Sequence, residues 1–190
     1  MHNKNRHFTL PNIISFARIC FIPPFVICVM QVQHHDFYRY IALGVLLIIG
    51  VSDILDGYLA RKMGETTNFG KYLDPIADKL LLVIACILLS SATLWPGPRF
   101  PVWVLVVILS RELFFSLGVI ATFTIVKRRI TWQPSKLGKL TTFLQIIAII
   151  AVLLGNHISL DTFLILWFLV AGVTLISAIN YTYIDRKSVV

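Results

Sequence analysis

Six apolar runs, separated by short interruptions of Pro, Gly and charge, account for nearly the whole chain, at approximately residues 12–30, 37–59, 71–91, 100–126, 136–154 and 160–183. Each is about 17–27 residues long, enough to cross hydrocarbon as an α-helix rising ~1.5 Å per residue. The connections are too short to hold a second domain, and the chain carries no internal repeat, low-complexity tract or flexible linker. The pattern therefore predicts one all-α domain over residues 1–190, a polytopic membrane bundle of about six transmembrane helices.

Composition agrees with the pattern. With 57% hydrophobic and 14% charged residues, 190 residues offer too little polar surface to coat a water-soluble globule. The first run follows a basic N-terminus (Lys4, Arg6), as a signal peptide would. It is too long and lacks a small-x-small cleavage site, so an uncleaved first span is expected. The net charge of +8 does not indicate nucleic acid, because the basic residues flank apolar runs rather than line a soluble recognition fold. Anionic lipid or a phosphorylated substrate suits them better.

Lys62, Lys71, Lys127, Arg128, Arg129, Lys136, Lys139, Arg186 and Lys187 fall on one side with the N-terminus, whereas Arg39 and Arg99 fall on the other. The positive-inside rule puts both termini on the cytoplasmic side. Cys20, Cys28 and Cys86 lie inside apolar runs without metal-ligand spacing and act as small hydrophobes.

Against this background four carboxylates stand out: Asp53, Asp56, Asp74 and Asp78, all within 53–78, in segments predicted to be helical on the cytoplasmic side. A carboxylate at mid-membrane costs roughly 2.5–3.5 kcal/mol on insertion scales, and basic residues inside the spans are too few to neutralise four. Asp53 and Asp56 are three apart, Asp74 and Asp78 four apart, so each pair projects from one helix face. Two such helices joined by a tight loop would form an all-oxygen pocket for Mg²⁺ or Mn²⁺, with carboxylates able to bridge two ions ~3.5–4 Å apart, a site that handles phosphates.

Gly57 and Ala60 lie one turn beyond Asp53 and Asp56, and Gly70 one turn before Asp74. Missing side-chain bulk there admits a diphosphate close to the backbone, or permits close helix packing. Arg61 offers a planar donor for phosphate oxygens, or marks the cytoplasmic interface. Pro75 either kinks the third run or starts its helix near Asp74.

The string Asp53-x2-Asp56-Gly57-x2-Ala60-Arg61-x8-Gly70-x3-Asp74-x3-Asp78 is identical in residue type and spacing to the signature of the CDP-alcohol phosphatidyltransferases, which the chain resembles. The resemblance implies a six-helix membrane bundle, homodimeric, in which an alcohol displaces CMP from a CDP-linked donor. It matches Asp53, Asp56 and Asp74 with metal ligands, and Asp78 with a ligand that is also the general base. Gly57, Ala60, Arg61 and Gly70 match the positions that hold the CDP moiety. It further implies a bacterial inner membrane, on whose cytoplasmic side the positive-inside rule puts the aspartate-rich loop.

Outside the aspartates, the chain is similar to the phosphatidylglycerophosphate synthase and cardiolipin synthase branches. The similarity rests on Leu10-Pro11-Asn12 with Ser15 and Arg18, on Ser110-Arg111-Glu112, and on Ser135, Gly138, Lys139, Thr142 and Gln145. CDP-diacylglycerol is the implied donor, and Arg111 and Lys139 are the candidate acceptor-binding residues. Both have ordinary readings, an ion pair with Glu112 and snorkelling to headgroups. Phosphatidylglycerophosphate synthases commonly carry bases where this chain has Val119 and Thr141. The expected acceptor is glycerol 3-phosphate, with phosphatidylglycerol, giving cardiolipin, as the alternative. An intramembrane prenyltransferase fits less well, because its two acidic motifs lie further apart, and a cation carrier has no use for Gly57, Ala60, Arg61 and Gly70. His34, His35 and Asp36, like His157 and Asp161, are read as solvated loop residues rather than metal ligands.

Overall fold

The helix periods expected from the sequence are present in the computed structural model, which describes the backbone of residues 10–63, 70–121 and 136–188 and the side chains of 19–52, 79–117, 137–155 and 157–180. Six α-helices and no strand occur among the described residues: α1 (Leu10–Gln31), α2 (Phe37–Met63), α3 (Gly70–Ser90), α4 (Val102–Ala121), α5 (Lys136–Leu153) and α6 (Leu160–Ser188). A 3₁₀ turn, Gly155–His157, joins the last two. Backbone contacts group the chain into two units, Met1–Pro96 and Gly97–Val190.

In the first unit α1 packs against both α2 and α3. The buried positions recur every three or four residues: Ile22, Phe25 and Val29 on α1, with Val32 in the turn after it, Arg39, Ala42, Leu46 and Ile49 on α2, and Leu81, Ala85 and Leu89 on α3. That spacing keeps one stripe of each helix turned inward. The α1–α2 turn closes through the His34 and His35 amides, which donate to the Gln31 carbonyl at 3.0 and 3.2 Å. His34 and His35 are exposed. Asp36 lies 3.6 Å from Arg39, whose buried guanidinium covers the ring of Trp95 at 4.9 Å. A cation over a desolvated indole face is an attractive arrangement, and it ties the start of α2 to the segment after α3.

In the second unit α6 packs against α4 and α5. Its buried residues Phe163, Trp167, Val170, Thr174 and Ser177 alternate spacings of four and three, as do Thr141, Gln145, Ala148 and Val152 on α5. The same stripe period runs along both helices of the α5–α6 contact. The start of α4, the end of α5 and the start of α6 meet at one end of the unit. There Phe100 lies on Trp167 at 4.6 Å and Trp103 on Phe168 at 5.4 Å between ring centroids. The α4 helix begins after Pro101, whose carbonyl accepts from the Val104 and Leu105 amides at 3.0 and 3.1 Å.

Gly155 sits at the same end, directly against the Pro98 ring. A Cβ on Gly155 would come within 2.7 Å of Pro98 Cδ. A pyrrolidine ring cannot swing aside as a long side chain can, so Gly155→Ala should cost about 1–3 kcal/mol of stability. The check is a lowered unfolding temperature in detergent, with Pro98→Ala recovering part of the loss in the double variant.

Large apolar side chains face outward on most of the helices. Phe37, Val102, Phe114, Leu160, Ile165 and Phe168 are each more than two-thirds exposed. Among the described residues, Leu160–Asn180 is long and apolar enough by itself to cross a membrane. Ile19–Gln31, Phe37–Ser52, Lys79–Ser90 and Leu137–Leu153 are shorter apolar helical stretches among the described side chains.

Candidate active site

The four aspartates belong to the first unit. Asp53, Asp56, Gly57, Ala60 and Arg61 occupy the C-terminal half of α2, and Gly70, Asp74 and Asp78 the N-terminal half of α3. Their side chains lie outside the described residues, and helix register alone relates them. At about 100° per residue, Asp53 and Asp56 share one face of α2, with Gly57 one turn from Asp53 and Ala60 one turn from Asp56. Asp74 and Asp78 share one face of α3. Because α3 begins at Gly70, Asp74 falls in its second turn and Asp78 one turn deeper. Pro75 lies inside the helix and supplies no N–H to the Lys71 carbonyl.

Helix dipoles treat the two pairs differently. The α3 pair lies toward a helix N-terminus, whose field favours carboxylates. The α2 pair lies toward a C-terminus, whose field does not. Residues 64–69, the link between α2 and α3, lie outside the described residues.

The candidate acceptor residues belong to the second unit. Arg111 and Glu112 lie near the middle of α4, are largely buried, and form an ion pair from guanidinium Nη1 to carboxylate Oε1. Arg111 also lies 5.8 Å from the centroid of the Phe115 ring. Adjacent helix positions do not face each other, so the pair depends on the length of both side chains. The Ser110 hydroxyl donates to the Val107 carbonyl at 3.0 Å, and that of Ser116 to the Glu112 carbonyl at 2.8 Å.

On α5, Lys139 is exposed and lies about 100° around the helix from Gly138. Gly138, Thr141 and Gln145 share a face, and the last two are buried. Thr141 donates its hydroxyl to the Leu137 carbonyl at 2.9 Å. Thr142 does the same toward Gly138 at 3.2 Å. Val119 is on α4, with its side chain outside the described residues.

Two features are not legible in the sequence pattern. The Arg39–Trp95 contact joins residues far apart in the chain that no local period connects. The burial of Gln145 is hidden behind its place as one position of a motif, although a lone amide in an apolar run is a visible signal. Among the described residues no three His, Cys, Asp or Glu side chains are grouped as metal ligands would be.

Comparison with known proteins adds the chemistry. The family model described as CDP-alcohol phosphatidyltransferase matches residues 8–179. A Bacillus subtilis protein named CDP-diacylglycerol--glycerol-3-phosphate 3-phosphatidyltransferase is 39% identical over 164 residues, 78% of either chain. Proteins of the same name from Rickettsia typhi and Rickettsia bellii are 34% identical over 178 residues and 35% identical over 184 residues. These alignments cover 90% and 94% of this chain, and 94% and 96% of the relatives.

Proposed function

Because the chain belongs to the CDP-alcohol phosphatidyltransferase family, we propose that it transfers the phosphatidyl group of CDP-diacylglycerol to sn-glycerol 3-phosphate, giving phosphatidylglycerophosphate and CMP. The observation that carries this reading is similarity to glycerol-3-phosphate enzymes over nearly the whole chain, together with the complete aspartate string. The same relatives favour glycerol 3-phosphate over phosphatidylglycerol as acceptor. Membership of the family also leaves no room for the prenyltransferase and cation-carrier readings.

The proposed assembly is a single phosphatidyltransferase domain, homodimeric, in a bacterial inner membrane. Its outward-facing apolar side chains suit contact with lipid. The basic residues concentrated on one side put the aspartates in the cytoplasmic half, where CDP-diacylglycerol headgroups and glycerol 3-phosphate are met.

Asp53, Asp56, Asp74 and Asp78 form an all-oxygen donor set at i, i+3 and i, i+4 register on consecutive helices, and they would hold Mg²⁺ or Mn²⁺, two ions in all. When bound, such ions neutralise a diphosphate and a departing nucleotide phosphate. Gly57, Ala60 and Gly70 leave room for the CDP moiety beside the helix backbones, and Arg61 pairs with its phosphate oxygens. Arg111 and Lys139 attract the phosphate of the acceptor.

Asp78 takes the proton from the primary hydroxyl of glycerol 3-phosphate. That oxygen then attacks the phosphorus bearing diacylglycerol, and the bond from this phosphorus to CMP breaks. Direct in-line transfer needs no nucleophile from the protein.

The test uses purified protein in detergent, CDP-diacylglycerol, and each acceptor in turn, with CMP release as the readout. Release is expected with glycerol 3-phosphate in Mg²⁺ or Mn²⁺, falling to background with EDTA and returning when the ion is restored. Release with phosphatidylglycerol alone would replace the reading with cardiolipin synthesis. Full activity in EDTA would remove the metal.

A further inference from the structure

The buried stripes of the first unit can be followed toward the end where α1 starts, α2 finishes and α3 starts. On α1, Arg18 lies four, seven and eleven residues before the buried Ile22, Phe25 and Val29, on the same face of the helix. On α2 the stripe of Leu46 and Ile49 continues to Asp53 and Asp56, each seven residues further on. On α3 the stripe of Leu81 and Ala85 leads back to Asp74 and Asp78, each seven residues earlier. Helix register alone relates these charged positions, whose side chains lie outside the described residues. All three stripes pass from apolar to charged residues, and α1 is the helix on which both α2 and α3 pack.

Depth along the helices can be counted from the other end of the unit. There the turn at residues 32–36 ties α1 to α2, and Arg39 over Trp95 ties the start of α2 to the segment after α3. Arg18 is thirteen residues back from Gln31, Asp78 twelve back from Ser90 and Asp53 sixteen on from Phe37, rises of about 20, 18 and 24 Å. Arg18 therefore belongs to the level of Asp78 and Asp53, at the deep edge of the aspartates. Arg61, at a rise of about 36 Å along α2, belongs to the edge nearest the α2–α3 link. Arg18 is also the one charged residue in α1. A single charge on the packed face of an apolar helix is costly to keep unless an anion meets it.

We propose that Arg18 binds the phosphate of CDP-diacylglycerol that carries diacylglycerol, an inference that rests on the phosphatidyltransferase reading above. Acyl chains lie in hydrocarbon and cytidine at the cytoplasmic surface, so the lipid-bearing phosphate of the donor is the deeper of its two. The deeper cation meets the deeper phosphate, and Arg61 is left to the CMP half. Carboxylates balanced by divalent ions need no further cation, whereas a bound diphosphate brings negative charge of its own. A guanidinium offers parallel N–H donors to two non-bridging oxygens of one phosphate, a fit that a point charge lacks. Because that phosphate is the one transferred, its contact with Arg18 persists when CMP departs.

CDP and CMP separate this role from a structural one, because CDP carries a phosphate in the place of the transferred one and CMP does not. Their affinities in Mg²⁺ are measured by calorimetry in detergent for wild type, Arg18→Gln and Arg18→Lys. KM for CDP-diacylglycerol and Mn²⁺ affinity without nucleotide are measured on the same preparations. Arg18→Gln should weaken CDP by about tenfold or more, the loss of one charge-assisted contact, and CMP by no more than about threefold. KM for CDP-diacylglycerol should rise in step with the CDP dissociation constant, while Mn²⁺ affinity stays near the wild-type value. Arg18→Lys should recover only part of the CDP affinity, because it keeps the charge without the fork. Unchanged CDP affinity overturns the proposal, and so does an equal loss for CDP and CMP. Loss of Mn²⁺ binding also overturns it, since Arg18 would then support the ion site. If Arg18→Gln does not fold, wild-type CDP affinity in Arg18→Lys overturns it instead. Failure of the underlying reading is distinct: wild type would then bind neither nucleotide and release no CMP with any alcohol.

Discussion

Asp78→Asn should lower CMP release by about 10²–10⁴-fold while reducing Mn²⁺ binding far less, because an amide oxygen can still face a cation but cannot accept the alcohol proton. Asp78, which the family resemblance matches with the general base, lies one turn deeper in α3 than Asp74 on the same face. Asp53→Asn is the contrast. Its loss should appear first in ion affinity, so that raising Mn²⁺ restores part of the rate, whereas no concentration rescues Asp78→Asn. Turnover by CMP release and Mn²⁺ binding by electron paramagnetic resonance on the same preparations separate the two roles. If Asp78→Asn turns over within a few-fold of wild type, another group takes the proton. If it binds no Mn²⁺, its loss of rate says nothing about a base.

The helices are legible in the sequence because hydrophobic period and length are local properties. The starts of α2, α5 and α6 coincide with the expected ones, and the remaining boundaries differ by a few residues for identifiable reasons. Charge places the expected end of the second run at 59, yet α2 continues to Met63, since Arg61 and Lys62 end hydrocarbon compatibility without ending the helix. The fourth run is expected to begin at 100, but Pro101 caps α4 from outside. Its expected end at 126 lies outside the described residues. The aspartate string is legible for the same reason as the helices, being a matter of spacing along two consecutive elements. Arg39 on Trp95 and Gly155 against Pro98 are not, since each joins segments tens of residues apart that only the packed fold brings together. Gln145 falls between these cases: its place in a motif can be read, but that its buried amide Nε2 has no hydrogen-bond partner among the described residues depends on every neighbour.

The same distinction decides what Arg111 does, and a pair of variants separates its two readings. Arg111→Met strips the guanidinium from a carboxylate that is only 13% exposed, and should destabilise the protein by about 3–5 kcal/mol, the cost typical of breaking a buried pair from one side. Replacing both residues, as Arg111→Met with Glu112→Met, removes the carboxylate as well. Apolar residues of similar volume often equal a buried ion pair, so the double variant should recover most of the unfolding temperature. Activity then distinguishes the roles. If Arg111 holds the acceptor phosphate, the stable double variant keeps its KM for CDP-diacylglycerol but shows a KM for glycerol 3-phosphate raised by about tenfold or more, the loss expected for one charge-assisted hydrogen bond. Recovery of activity together with stability would make Arg111 a partner for Glu112 and nothing more, and would leave Lys139, exposed at the first turn of α5, as the remaining candidate cation for the acceptor.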